Sequence, residues 1–283
     1  MSEKPPSDVP LPYADRPVAT APGHWVLARA GKRVLRPGGA ALTAAMLDHA
    51  RLPGSDVVEL APGLGRTAAE IVAARPASYT AIDRDPQAAA RVAAVVGDRG
   101  VVRQGEAADT GLDDACADVV VGEAMLTMQG DKSKAAIVAE AARVLRPGGR
   151  YAIHELGVAP DDIDEEYYTQ LRRDLARAIH VNARPMTAAA WRGLLEDAGL
   201  VVDWVDTAPM ALLKMSRNLR DEGPGGAARI MWNVMRDKAL RARILEMRRT
   251  FTRYEKDMVG IALVAHKPEA GSEAAPEEAA PGA

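Results

Sequence analysis

Cysteine is nearly absent from this chain of 283 residues: Cys116 stands alone, so no intrachain disulfide can form and a cysteine-based zinc centre is excluded. No other metal centre is expected from the sequence. Phe251 is likewise the single phenylalanine, a scarcity that we read as composition bias and not as mechanism. A strong charge of one sign is missing too. The formal net charge of −3 is too near neutral to suggest nucleic acid as an obligate partner. No apolar run approaches the ~20 residues that span a bilayer, so stable membrane insertion is not expected. The first residues, 1–16, are proline-rich and lack the apolar stretch of a signal peptide. What remains, 48% hydrophobic and 27% charged, reads as a soluble, cytoplasmic, globular protein.

The chain is organised around residues 56–70. Val57, Val58 and Leu60 read as a short strand with core on both faces. Pro62, Gly63 and Gly65 then force a turn where backbone must approach something closely, with no Cβ in the way. An alanine-rich helix carrying Ile71 and Val72 follows, which completes a strand, a glycine turn and a helix N-terminus. Gly63-x-Gly65-x-x-Ala68 also fits a dinucleotide fingerprint, so the turn alone does not choose a cofactor. Glu59, at the strand's end, makes the choice. An acid there repels a pyrophosphate and favours a cationic head group, which points to S-adenosylmethionine.

Glu59-x-Ala61-x-Gly63-x-Gly65 resembles the first motif of class I S-adenosylmethionine-dependent methyltransferases, with Ala61 where the family's first glycine usually stands. The resemblance implies cofactor contacts at Glu59, Ala61, Gly63 and Gly65. It extends along the chain. Ser78 to Ile82 reads as a second strand ending in Asp83-Arg84-Asp85. An acid about twenty residues past the glycines accepts hydrogen bonds from ribose hydroxyls, and by resemblance Asp83 is that acid, with Arg84 beside it. Asp85 is expected to cap the next helix. A third strand starting at Val101 runs into a loop by Ala107, where Glu106 and Ala107 match the family positions that meet adenine. A fourth strand, 118–123, ends in Glu123. The string Ala142 to Arg150, with Arg-Pro-Gly-Gly before an apolar fifth strand, is a further family-like signal.

Outside that core, His24 to Leu35 is expected to form an amphipathic helix, followed by a second over 40–50. Residues 161–181 read as a helical insertion, and Thr187 as the cap of a helix ending at Gly199. A long segment precedes the last strand, 258–266. In it Leu240, Ile244, Met247, Phe251 and Tyr254 share one helical face, with Arg243, Arg249 and Arg253 expected away from it. The arginine-rich 236–253 stretch is compatible with a solvated face, an anionic substrate or a lipid surface.

These readings combine into an α/β fold: a doubly wound, Rossmann-like, seven-stranded sheet, by resemblance with its last strand antiparallel. The expected domain plan is a flexible arm over 1–20 and one domain over 21–267. Within it, 21–54 form cover helices, 55–156 bind the cofactor, 157–257 supply insertions with strand six, and 258–267 form the last strand. An acidic, disordered tail is expected over 268–283. The expected activity is methyl transfer to a small, largely apolar acceptor. His154 and Glu123 are the candidate bases, while His24, Trp25, Met125, Met128 and Tyr254 are expected to line the acceptor pocket. Two alternatives are an NAD-type oxidoreductase and a non-catalytic S-adenosylmethionine-binding module. Oligomeric state is not legible.

Overall fold

Alternation along each apolar strand assigns its residues to two opposite cores. A computed structural model describes residues 16–210 and 215–269, apart from the side chains at 215–218, 220 and 221. The described strands are β1 (Asp56–Leu60), β2 (Ser78–Asp83), β3 (Val101–Gln104), β4 (Ala117–Glu123), β5 (Leu145–Val158), β6 (Val201–Pro209) and β7 (Met258–His266). They lie in the order β3-β2-β1-β4-β5-β7-β6, with β7 antiparallel to both neighbours and the other pairings parallel. Val57, Val119, Val121, Ala152 and Val264 point into one core. Val58, Leu60, Val120, Ile153 and Leu263 point into the other. This period of two is what a sheet covered on both faces requires.

Helices α1 (Gly23–Arg29), α2 (Ala40–Ala50), α3 (Arg66–Ala73), α4 (Pro86–Val96) and α5 (Asp131–Val144) come before the fifth strand or within the first half of the sheet. After it come α6 (Glu165–Ile179), α7 (Ala188–Glu196), α8 (Met215–Arg236) and α9 (Lys238–Arg253). Asp85 caps α4 by accepting from the N–H groups of Gln87 and Ala88, and Thr187 caps α7 through Ala190. Two smaller apolar clusters join α6, α9, α1 and α8 into a cover beside the sheet.

The first cover helix is shorter than its apolar pattern suggests. It stops at Arg29, before Gly31 at φ +100°. The next residues run extended, because the Glu222 carboxylate accepts hydrogen bonds from the backbone N–H groups of Arg33 and Val34 at 2.7 and 2.8 Å. Of the arm expected over 1–20, residues 1–15 lie outside the described residues, as do 270–283 of the expected tail. Residues 16–20 make contacts: Val18 packs against the cluster around α1, and Arg29 donates to the Arg16 carbonyl at 2.8 Å.

A glycine in the last strand explains how the cover reaches the sheet. A Cβ on Gly260 would meet the Pro37 carbonyl carbon and oxygen at 2.4 Å and the Gly38 nitrogen at 2.5 Å. The Pro37–Gly38 backbone thus crosses directly over β7, a close approach that only glycine permits. Gly260→Ala should lose at least about 2 kcal/mol of stability, since the clash is with backbone and cannot relax by rotation of a side chain. Chemical denaturation measures this loss. A variant as stable as the parent would mean that the 36–39 segment is not seated there.

Candidate functional site

The strand order reverses between β1 and β4, and the carboxyl ends of these strands open into a crevice, the usual ligand position in such sheets. A cavity of about 520 Å³ occupies it. One wall consists of Glu59, Ala61, Gly63, Asp83, Arg84, Glu106, Ala107 and Glu123. The structure thus gathers these expected cofactor residues around one space. Gly65 is behind it, in a left-handed conformation at the start of α3 and close to Val92 and Val95.

Each wall residue is held by local geometry. Ala61 adopts a left-handed φ of +52°, a conformation that costs an L-residue of order 1 kcal/mol. Gly63 is also left-handed, and an added Cβ there would find nothing nearer than the Ala61 carbonyl oxygen at 3.9 Å. Space for a ligand therefore opens at the turn. The Asp83 carboxylate accepts from the backbone N–H groups of Gly63 and Asp85 at 3.1 and 3.0 Å. Burial raises its pKa, against the pull of these hydrogen bonds. Helix α3 starts without a side-chain cap, so its first N–H groups remain available to a ligand.

Glu59 is almost fully buried, and the Tyr79 hydroxyl donates to it at 2.5 Å. Desolvation pushes its pKa up to about 8. The nearby carboxylates of Glu123 and Asp83 act in the same direction, while the Tyr79 hydrogen bond and Arg36 oppose it. An acid of this kind waits for a cation.

The lining also includes His24, Trp25, Leu35, Met125, Met128 and Val181. Four of the five expected acceptor-pocket residues are therefore here. Tyr254 is not. It lies in the separate apolar cluster with Leu171 and Leu175, and its hydroxyl donates to Asp174 at 2.7 Å. Helical spacing shows that this face is buried but not against what. Arg243, expected away from the apolar face, is also buried, and it donates to the Ala178 carbonyl at 2.9 Å. His24 lines the cavity as a neutral imidazole, its pKa lowered by burial to about 4.

His154 is not brought to the cavity. It is fully buried, with Nδ1 at 2.8 Å from Glu123 Oε1 and Nε2 hydrogen-bonded to the Pro37 carbonyl oxygen. Glu123 does face the cavity, but its oxygens are already occupied. Thr43 and Thr67 each donate to it, and Arg36 Nε lies 3.1 Å from Oε2. Desolvation would raise its pKa, yet Arg36, His154 and Thr43 outweigh that and hold it near 2. A carboxylate so saturated with donors is a poor proton acceptor. Sequence reasoning does not find Arg36, Thr43 and Thr67 as site residues. Arg36 directly precedes a Pro-Gly-Gly turn and Thr67 sits in the first turn of α3, and neither position marks a residue as buried.

The donor set fits a cationic, ribose-bearing ligand: acids at Glu59, Asp83 and Glu106 and open backbone at Gly63. Residues 58–153 match the model of the family described as "Methyltransferase domain". The chain carries a class I S-adenosylmethionine-dependent methyltransferase domain. Its cofactor is S-adenosylmethionine. An uncharacterized protein of Haemophilus influenzae is 29% identical over 251 residues, covering 87% of this chain and 98% of that one. Among solved structures, phosphoethanolamine N-methyltransferase 2 of Haemonchus contortus, in complex with phosphomonomethylethanolamine and S-adenosylhomocysteine, superposes with a TM-score of 0.66 at 14% identity. That match covers 87% of this methyltransferase and 58% of its neighbour. The [4+2]-cyclase SpnF superposes at 0.62 and 17% identity, over 93% of this chain and 100% of that one. At such identities these neighbours speak for the fold alone. Among the described residues no cluster of histidine, cysteine or carboxylate side chains could hold a metal ion, and no helix is long and apolar enough to cross a membrane.

Proposed function

We propose that this methyltransferase acts on a small, largely apolar acceptor, which it holds between the N-terminal cover and the end of β4. The observation that carries this reading is the mixed lining of a single cavity, where the acids Glu59, Asp83 and Glu106 share one space with the apolar Trp25, Leu35, Met125, Met128 and Val181. A mostly apolar lining with a few polar groups is what a small hydrophobic ligand requires.

S-adenosylmethionine, when bound, supplies a methyl group already activated by its sulfonium. Glu59 is the residue to receive the cofactor's ammonium, Asp83 the ribose hydroxyls, with Arg84 beside it, and Glu106 with the Ala107 N–H the adenine. The apolar part of the lining excludes water and confines the acceptor to one orientation, the main contribution a protein can make to an in-line displacement. His24 can accept a hydrogen bond from the acceptor. Glu123, paired with Arg36, and His154, bonded to Glu123 and the Pro37 carbonyl, act by positioning the cover and not by taking a proton.

Asp83→Ala tests the reading. Loss of a charge-assisted acceptor should weaken S-adenosylhomocysteine binding by about 1.5–3 kcal/mol in calorimetric titration, with the melting temperature of the ligand-free protein little changed. An unaltered affinity would remove Asp83 from the cofactor site. Binding of a reduced dinucleotide in preference to S-adenosylhomocysteine would favour the oxidoreductase reading.

A further inference from the structure

The outward face of the α8–α9 pair carries the wrong residues for contact with water alone. In the carboxyl-terminal half of α8 the inward positions are Ala227, which is buried, and Ile230 and Val234, which pack towards α1. The opposite face should then be polar. Instead it presents Met231, Trp232 and Met235, with Trp232 60% and Met235 62% exposed. The Arg236 guanidinium sits over the Trp232 ring, 5.4 Å from its centroid. Helix α9 follows after Asp237 and packs Leu240, Ile244, Met247 and Phe251 into the same apolar cluster. Its own outward face carries Lys238, Arg241, Leu245, Arg248 and Arg249, all exposed.

Because both helices bury their inner faces in one cluster, their outer faces point away from the same core. The result is an apolar strip, with an exposed indole, adjoining a cationic strip. Residues 229–249 hold seven arginine or lysine residues against Asp237 and Glu246, a surplus of five positive charges in a chain whose net charge is −3. Arg236, Lys238, Arg241 and Arg248 take part in no ion pair among the described residues.

We propose that this face docks on the surface of an anionic phospholipid bilayer. Arginine and lysine meet the lipid phosphates, while Trp232, Met231 and Met235 enter the headgroup layer, as in helices that lie in a membrane interface without spanning it. A nucleic acid would satisfy the cations but would leave two exposed methionines without a partner. A second copy of the chain would bring like charges together. The same α8 carries Glu222, which holds the backbone of Arg33 and Val34, and Arg33 lines the cavity. The docked face is therefore the back of the cavity's cover.

Sedimentation of the full chain with vesicles tests the proposal. Mixed phosphatidylcholine–phosphatidylglycerol vesicles should carry the protein down, pure phosphatidylcholine vesicles should not, and raised salt should release it. Arg241→Glu with Arg248→Glu should weaken the partition by roughly thirtyfold or more, without altering S-adenosylhomocysteine affinity or the melting temperature. Tryptophan emission gives a second reading. Trp25 and Trp191 are buried and Trp204 stacks on His49, so a blue shift on anionic vesicles should vanish in Trp232→Phe. Absence of binding to the anionic vesicles, equal binding to neutral ones, or no effect of the double variant would overturn the proposal. So would capture of single-stranded RNA, or self-association, through the same arginines in place of vesicle binding.

Discussion

Arg36→Met should lower the melting temperature by roughly 10 °C, far more than the loss of any exposed ion pair would cause. The guanidinium is almost fully buried. It reaches Glu123 at 3.1 Å, Glu70 at 3.0 Å and the Thr67 hydroxyl at 2.8 Å. Removal of one partner of a buried pair leaves the other charge desolvated and uncompensated, at a cost of about 3–5 kcal/mol. In a domain of this size each kcal/mol shifts the melting temperature by about 2–4 °C.

The pH dependence gives this prediction a second test. Glu123 has a folded-state pKa near 2, below its ordinary value of 4.5. A group depressed in this way contributes stability that is present above the ordinary value and is lost as the pH falls towards 2. Without Arg36 the depression shrinks, so the acid limb of the stability curve should shrink with it. Adding Glu123→Gln to Arg36→Met should restore part of the loss, because the stranded charge is gone. If the single variant melts within a degree or two of the parent, the network is solvated and does not anchor the cover.

Much of the cofactor wall is legible in the sequence because it is local. Glu59 is separated from Gly63 by three residues, Asp83 ends the next strand, Glu106 lies in the loop just past the third, and Glu123 ends the fourth. At the carboxyl edge of a parallel sheet, such strand ends meet in space whatever the rest of the chain does. The network behind Glu123 is not local. Thr43 reaches Glu123 across 80 positions, and the Pro37 carbonyl reaches His154 across 117. No periodicity encodes these contacts. His154 looks reactive in sequence because a histidine near a strand end often is; burial on every side and a carbonyl at Nε2 are invisible there. Tyr254 and Arg243 share one lesson, that a helical pattern locates a buried face but not the element it meets. The long arginine stem can also lie inside while its head finds a carbonyl, as Arg243 does. In sequence Gly260 is simply part of the last strand, and only the backbone lying over it explains the missing side chain.

S-adenosylhomocysteine affinity should rise with pH, close to tenfold per unit below pH 8, and level off above it. The prediction rests on Glu59 as the partner of the cofactor's ammonium. In the ligand-free protein burial raises the pKa of this acid from 4.5 to about 8, so near neutrality it is mostly protonated and uncharged. Such a group makes the folded state hold its proton more tightly than the unfolded chain does. Its contribution to stability is complete below 4.5 and fades as the pH climbs through 8. The ligand-free protein should therefore lose stability towards alkaline pH. An ammonium at hydrogen-bond distance reverses the preference, because an adjacent opposite charge favours the carboxylate. Binding must then expel the proton, and below pH 8 the work of expelling it grows with each unit of acidity. Calorimetry in two buffers of different protonation enthalpy should detect release of close to one proton at pH 7. Glu59→Gln keeps the shape and the Tyr79 hydrogen bond but has no proton to release. Its affinity should be lower at pH 8 and flat with pH, and its net proton release should be near zero. A parent protein whose affinity is flat between pH 6 and 8, with no proton released, would show that the ammonium is held elsewhere.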